Sequence, residues 1–493
     1  MHRNMHSLMF AGTGSDVGKS VITTAFCRIL LQEGFSPAPF KAQNMALNSY
    51  ATPDGLEIGR AQAVQAWAAG IECHTDMNPV LLKPSGDNSS QIVLNGKVYG
   101  NIDAKTYYEF PAREKLIQEV RNAYDRLNKR YSPILLEGAG SISEINLKER
   151  DFINLKMAEY AGADVILIGD IDRGGIFASL YGTIMLLDPN ERQMIKGIII
   201  NKFRGDLALF EPGIKKIEEL CGVPVLGVIP FFDDIDIEEE DSVSLKRKRK
   251  VSDAGKVNIA VILLPHISNF TDFDSIEKIQ DINLFYSNDI EEITKADIII
   301  IPGSKNTIAD LKSIKESGVA ETIVCAYKNG KSVLGICGGY QMMGECIYDP
   351  THIEGDIVEQ NGLGILPITS VIETEKITKE VNFKFLNHSE VCHGYEIHMG
   401  KSTYSDKSHI EPLITKEDGT IEGYHNSVKC MGSYIHGIFD NPVVIDYILS
   451  PYLSQKNKTP FCLKSHREEQ FDKLADHVRK HSDIDRILKM LLR

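Results

Sequence analysis

The chain has 493 residues, enough for about three structural units at the usual 100 to 200 residues each, and is well past the size at which a core is hard to bury. Lys plus Arg number 54 and Asp plus Glu 68, a formal charge of −14 that repels phosphate polymers, so nucleic acid is not an expected partner. With 43% hydrophobic and 25% charged residues the composition is that of an ordinary globular protein, and no apolar run approaches the ~18 to 20 residues of a membrane span.

Met1-His2-Arg3-Asn4 passes at once into the strand-like run Ser7 to Gly12, without the long apolar region of a secretion signal, and a cytoplasmic location is expected. Nine scattered cysteines without C-x-x-C spacing indicate reduced thiols, neither a disulfide framework nor a zinc site. Across residues 1–232, six Val/Ile/Leu-rich runs alternate with helical patterns. They are Leu8 to Ala11, Ser36 to Phe40, Pro133 to Leu136, Asp164 to Ile168, Gly197 to Ile200 and Val225 to Ile229. This alternation predicts an α/β fold with a parallel sheet flanked by helices. Residues 233–256 hold an acidic run, Asp233 to Asp241, and a basic pentad, Lys246 to Lys250, and read as an exposed, self-neutralising linker. Residues 257–445 resume the strand and helix alternation as a second α/β domain. Residues 446–493 read as a helical packing tail, with Phe471, Leu474, Ala475 and Val478 on one face. No feature sets the oligomeric state.

The first strand runs into Gly12-Thr13-Gly14-Ser15-Asp16-Val17-Gly18-Lys19-Ser20, after which Val21, Ile22, Ala25, Phe26 and Ile29 recur at helical spacing. Strand, glycine loop and helix together form the context of a phosphate loop. Its glycines turn backbone N–H groups onto phosphate oxygens, Lys19 reaches the terminal phosphates, and Ser20 offers a hydroxyl to Mg²⁺. The loop is irregular, because five residues rather than four separate Gly12 from Gly18 and Thr13 holds the usual first-glycine position. Glu137, at the end of a neighbouring strand and followed by Gly-Ala-Gly, is the expected second metal-binding group. Asn201-Lys202-Phe203-Arg204 places an arginine where a guanine-reading aspartate belongs, so ATP is the expected nucleotide. Gly14 replaces the second lysine of the partitioning ATPases and argues against a dimeric switch of that kind.

Lys41, at a strand end near this loop, suits a transferring phosphoryl group. Gln43, Asn44 and Asn48 are neutral hydrogen bonders that fit a substrate bearing carboxylates and amides, and equally fit turns. Asp170 and Asp172 are candidates to orient an amine or bind metal, and Arg173 to grip a carboxylate, with a structural ion pair as the lesser alternative for each. Farther on, Ser332 to Ile336 leads into Cys337-Gly338-Gly339-Tyr340-Gln341, a thiol version of the nucleophile elbow. The following helix is expected to set its positive end beneath the sulfur, and backbone N–H groups to receive an oxyanion. The other eight cysteines read as buried and structural.

The irregular loop and Glu137-Gly-Ala-Gly140 resemble dethiobiotin synthetase and the corrin amide synthetases. Phe40-Lys-Ala-Gln-Asn-Met-Ala-Leu-Asn-Ser49, Gly169 to Phe177 and Asn201 to Asp206 resemble the cobyric acid synthase family in particular. Pro302-Gly-Ser-Lys-Asn306, the Cys337 elbow and Tyr434-Ile-His436-Gly-Ile-Phe439 resemble its class I glutamine amidotransferase domain. The resemblance implies an ATP-dependent ligase that hydrolyses glutamine and amidates four carboxylates, b, d, e and g, of adenosylcobyrinic acid a,c-diamide. It singles out His436 among fourteen histidines as the partner of Cys337, and Gly303 and Ser304 as part of the oxyanion hole beside Gly338 and Gly339. Most of that class carry a glutamate two residues after the histidine. Ile438 stands there, so the expectation is a Cys337–His436 dyad with its third member unassigned. The alternatives are another amidoligase, such as cobyrinate a,c-diamide synthase, or a non-catalytic ATP-binding regulator.

Overall fold

The computed structural model describes residues 5–84, 89–103, 113–238, 245, 248–405, 411–453 and 463–492. Six parallel strands form the N-terminal sheet, in the order Val225–Pro230, Ile195–Phe203, Asp164–Asp170, Leu8–Gly12, Ile134–Glu137 and Ala38–Phe40. They are the six runs marked in the sequence. Alternate residues feed opposite sides: Leu8, Phe10, Leu135 and Ile166 enter one apolar cluster, and Met9, Leu136, Val165 and Leu167 the other. With both faces buried the strands read as continuous apolar runs. Leu8–Gly12 is central, so its carboxyl end opens where a doubly wound sheet binds ligands.

Two small sheets were not anticipated. Gln43–Met45 pairs with Val80–Pro84, which continues through Ser89–Leu94 to Lys97–Asp103; Ser49–Ala51 pairs with Glu57–Gly59. Gln43–Met45, Ser49–Ala51 and Glu57–Gly59, at three residues each, are too short to display an alternation that sequence can report.

In the second domain, parallel strands Ile282–Ser287, Val257–Ile262, Ile298–Ile301, Ser332–Ile336 and Cys430–Ser433 lie side by side. They continue into an antiparallel region in which Ile368–Phe385 pairs with Val391–Tyr404. Ile282–Ser287 is a buried strand that the sequence reading passed over.

The segment expected to be a solvated linker is anchored in its described part. Glu238 is held by Arg60 at 2.7 Å and Arg467 at 2.7 Å, Asp236 by Lys278 at 2.6 Å, and Leu245 is buried in the second domain's core. Lys248 pairs with Glu277 and Asp274. Among the described acids, Asp236 and Glu238 are paired with distant elements; residues 239–241 of the acidic run and 246–247 of the basic pentad lie outside the described residues.

The tail is helical, as expected, and it returns to the first domain. Helix Leu463–Lys480 buries Phe471, Leu474, Ala475 and Val478 against helix Lys19–Gln32, with Arg28 clasping Glu468 and Asp472. The two domains meet where buried Glu57 accepts from Lys83 at 2.7 Å and from Lys376 of the second domain at 2.5 Å. Among the described residues no helix is long and apolar enough to cross a membrane.

Candidate active sites

At the end of the central strand the chain forms the glycine loop and enters helix Lys19–Gln32. Gly18 has φ 97°, and a Cβ there would stand 2.1 Å from Asn201 Nδ2, so only glycine fits. Asn201 Nδ2 donates to the Val17 carbonyl at 2.9 Å and Thr13 N to the Ile168 carbonyl at 3.0 Å, bracing the loop on two neighbouring strands. Lys19 Nζ donates to the carbonyls of Gly14 at 2.8 Å and Gly140 at 3.0 Å, and burial lowers its pKa to about 8. Gly12 lies beneath it: a Cβ there would be 2.9 Å from Lys19 Nζ.

Glu137 is almost fully buried at the end of its strand. Its Oε1 accepts from Ser20 Oγ at 2.8 Å and pairs with Lys41 Nζ at 2.9 Å, and its Oε2 accepts from Gln65 Nε2 at 2.6 Å. Burial opposes the charge, but Lys41 and the two hydrogen bonds outweigh it and hold the carboxyl below its ordinary range. A hydroxyl and a carboxylate side by side at the mouth of a phosphate loop are hard oxygen donors that suit Mg²⁺, which takes one or two protein ligands and completes its shell with phosphate and water.

A cavity of about 990 Å³ opens over these groups, lined by Asp16, Lys19, Ser20, Lys41, Gln43, Asn44 and Glu137 among others. Asn44 points inward to Gln62 Oε1 at 3.0 Å. Several expected ligands lie elsewhere. Asn48 is buried against the second domain, where its Oδ1 accepts from Phe270 N at 3.2 Å, so its side chain is spent on the domain interface. Asp170, Asp172 and Arg173 are outside the cavity lining, each in an ion pair: Asp170 with Lys202 at 2.8 Å, Asp172 with Arg204 at 2.9 Å, and Arg173 with Asp16 at 3.6 Å. Their alternative reading as structural pairs matches this geometry. Lys202 also donates to the Asp16 carbonyl at 2.5 Å, and the Arg204 guanidinium lies over the Phe231 ring at 3.5 Å.

In the second domain, Cys337 follows Ser332–Ile336 at φ 50°, ψ −110°, a strained conformation for a residue with a Cβ, and helix Gly338–Met342 begins immediately after it. Close approach enforces the elbow's glycines. A Cβ on Gly339 would stand 1.9 Å from the Ile301 carbonyl oxygen, and one on Gly338 would stand 3.0 Å from Ser304 N. Gly303 and Ser304 pair antiparallel with Ser268 and Ile267, and a Cβ on Gly303 would lie 3.3 Å from His436 Cε1. The Ser304 hydroxyl donates to Asp310 at 2.6 Å, which leaves the backbone rather than the side chain facing the elbow. Gly303, Ser304, Gly338, Gly339, Cys337 and His436 are therefore brought together.

His436 is buried, its Nδ1 2.7 Å from Asp272 Oδ2, and it lies close enough to Cys337 to feel its charge, while the Cys337 thiol donates to the Ile397 carbonyl at 3.8 Å. Burial disfavours its charge, but Asp272 and Cys337 outweigh that and raise its pKa to about 10. Asp272 also accepts from Gly437 N at 3.0 Å, and Tyr395 stacks on the imidazole at 5.4 Å. Asp272 was not anticipated. It sits on a short 3₁₀ turn, Phe270–Phe273, 164 residues before the histidine, and only the lack of an acid at position 438 hinted that one must come from elsewhere. Of the other cysteines, Cys325 is exposed, and Cys462 lies outside the described residues.

Comparison with known proteins covers both sites. Residues 8–245 match the CobQ/CobB/MinD/ParA nucleotide binding domain, and residues 258–444 the CobB/CobQ-like glutamine amidotransferase domain. The chain is 58% identical over 491 residues to a cobyric acid synthase of Bacteroides fragilis, covering 100% of this chain and 99% of the relative. It is 56% identical over 492 residues to that of Phocaeicola vulgatus, with the same coverage, and 47% identical over 511 residues to that of Syntrophobacter fumaroxidans, covering 98% of each. With both domains matched in order and identity sustained from end to end, the chain belongs to the cobyric acid synthase family.

Proposed function

We propose that the protein is an ATP- and glutamine-dependent amidoligase that converts four carboxylates of adenosylcobyrinic acid a,c-diamide to carboxamides. The observation that carries this reading is the pairing, in one chain, of a buried Cys337–His436–Asp272 array with a phosphate loop whose Ser20 and Glu137 converge.

At the thiol site, Asp272 holds the imidazole by Nδ1 and favours its protonated form, so His436 takes up the Cys337 proton as the thiol becomes the nucleophile. The sulfur attacks the side-chain carbonyl carbon of glutamine. Backbone N–H groups around Ser304 and Gly338 receive the oxyanion, and His436 gives its proton to the departing nitrogen. Ammonia leaves and a glutamyl thioester remains. His436, now neutral, takes a proton from the water that hydrolyses it.

At the phosphate loop, backbone N–H groups and Lys19 hold the phosphates of ATP. Ser20 and Glu137 would hold Mg²⁺, which when bound neutralises charge on the transferring phosphoryl group. Lys41 carries a further positive charge to the same place. A substrate carboxylate oxygen attacks the γ-phosphorus and ADP departs. Ammonia displaces phosphate from the resulting acyl phosphate and leaves the amide. Two sites on one chain suit this chemistry, because ammonia released into water at neutral pH is mostly protonated and no longer a nucleophile.

The test is mass spectrometry of adenosylcobyrinic a,c-diamide incubated with enzyme, Mg·ATP and glutamine. Four successive exchanges of hydroxyl for amine are expected. An unchanged corrinoid with ATP still consumed would rule out this substrate.

A further inference from the structure

Residues 41–65 leave the phosphate site and return to it. Lys41, at one end, pairs with Glu137 Oε1 at 2.9 Å; Gln65, at the other, donates to Glu137 Oε2 at 2.6 Å. Both ends of a 25-residue segment thus rest on one carboxylate.

Its middle lies on the glutamine site. Asn48 Oδ1 accepts from Phe270 N at 3.2 Å and Ser49 N donates to Asn269 Oδ1 at 3.2 Å, so consecutive residues grip the start of the turn that carries Asp272. Asn269 Nδ2 donates to the Tyr395 hydroxyl at 3.2 Å, and Tyr395 is the ring stacked on His436. Tyr50 packs on Tyr395 at 4.6 Å, and the buried Arg60 lies over both Tyr50 and Trp67. The segment is not a slack loop. It contains strands Gln43–Met45, Ser49–Ala51 and Glu57–Gly59 and the start of helix Arg60–Ala68, mostly buried apart from Met45 and the turn at residues 53–54, and close-packed elements of this kind pass displacement on rather than absorb it.

We propose, on the two-site reading given above, that residues 41–65 form a strap that carries the state of the Glu137 carboxylate to the Asp272–His436 pair. Ser20 Oγ and Lys41 Nζ both lie within 2.9 Å of Glu137 Oε1, so a cation entering beside Ser20 competes with Lys41 for that oxygen. When Lys41 gives it up, the near end of the strap shifts, and Asn48 and Ser49 shift the turn on which Asp272 stands. Asn48, Ser49 and Asn269 are positioning residues: they touch neither substrate nor the reacting atoms.

The chain's single tryptophan, Trp67, sits just beyond the far end of the strap and reports on it by fluorescence. Mg²⁺ with ATP is titrated into wild type, Asn48→Ala and Asn269→Gly. Glycine is chosen because Asn269 has φ 51°, which alanine would strain. Trp67 emission and the rate of glutamate release from glutamine are both followed, without corrinoid. Wild type is expected to change its emission and to change its glutaminase kcat by roughly 5- to 150-fold, the usual range of coupling between sites. Both variants are expected to keep the emission change and lose the change in kcat. Wild-type emission and kcat that ignore Mg·ATP, or variants that keep the full kcat response, overturn the strap. Ammonia-dependent amidation of the corrinoid is run in parallel on all three proteins. Its absence in wild type would defeat the function proposed above, while the nucleotide response of the glutaminase would still decide the strap.

Discussion

Both sites are built alike: a parallel strand ends, the chain turns through glycines, and a helix begins. They differ in which residue occupies the left-handed backbone position. At the residue just before the helix, the phosphate loop has Gly18, at φ 97°, where any side chain would collide with Asn201; the elbow has Cys337 itself, at φ 50°. A site that binds with its backbone needs glycine only where the helix begins, at Gly18; earlier in the same loop Asp16 takes φ 57° with its side chain half exposed. A site that reacts through a side chain must place one there and accept the strain, which is offset by the tight seating of Gly339 against Ile301. The surroundings follow suit. The phosphate loop opens on a cavity of about 990 Å³ for large anionic ligands, whereas Cys337 and His436 are buried, which strengthens every charge interaction between them.

Substitutions can break this comparison from either side. Cys337→Ala should abolish glutamine-dependent amidation, by roughly 10³-fold or more, while ammonium salts still support it; glutamate release and corrinoid mass read the two separately. Lys19→Ala should cost about 10²- to 10³-fold with either nitrogen source, because the group it removes serves phosphoryl transfer alone. Asp272→Asn should lower glutamine use by about 10²-fold and leave ammonia use intact, in the same assay.

Asp272 also makes a pH claim. His436 is raised in the folded protein from 6.5 to about 10, so its pairing stabilises the fold fully below pH 6.5 and the contribution is lost as pH rises through about 10. The melting temperature of wild type should therefore fall between pH 6.5 and 10 by more than that of Asp272→Asn. The mildest test contrasts two glycines. Gly18→Ala should cost about 1 to 3 kcal/mol and weaken nucleotide binding, whereas Gly14→Ala, where the nearest atom to a Cβ is Val17 at 3.9 Å, should stay within about 0.5 kcal/mol by thermal melt.

What sequence disclosed follows from how local each signal is. The six strands of the first sheet announce themselves because burial on both faces leaves long apolar runs, and the glycine loop and elbow are contiguous in the chain. Asp272 was missed because a triad is assembled in space: its acid arrives on a four-residue turn with no periodicity. Sequence leaves Asn48 open between ligand and turn former, because an asparagine beside Gln43 and Asn44 looks the same whether it faces a cavity or another domain. The acidic run after residue 232 was taken for a solvated linker because its partners Arg60, Lys278 and Arg467 are remote in sequence.

The C-terminal helix clasped to Lys19–Gln32 has a consequence for synthesis. Arg28 and Asp472 are 444 residues apart, yet Phe471, Leu474 and Val478 complete the apolar cluster that covers one face of the first sheet. At about 5 to 20 residues per second, the ribosome needs on the order of 20 to 90 seconds to make the chain between them. Throughout that interval helix Lys19–Gln32 covers the sheet, but its own outer apolar side lacks the partner that the last helices supply. During translation, chaperones would have to shield that side until the last helices emerge.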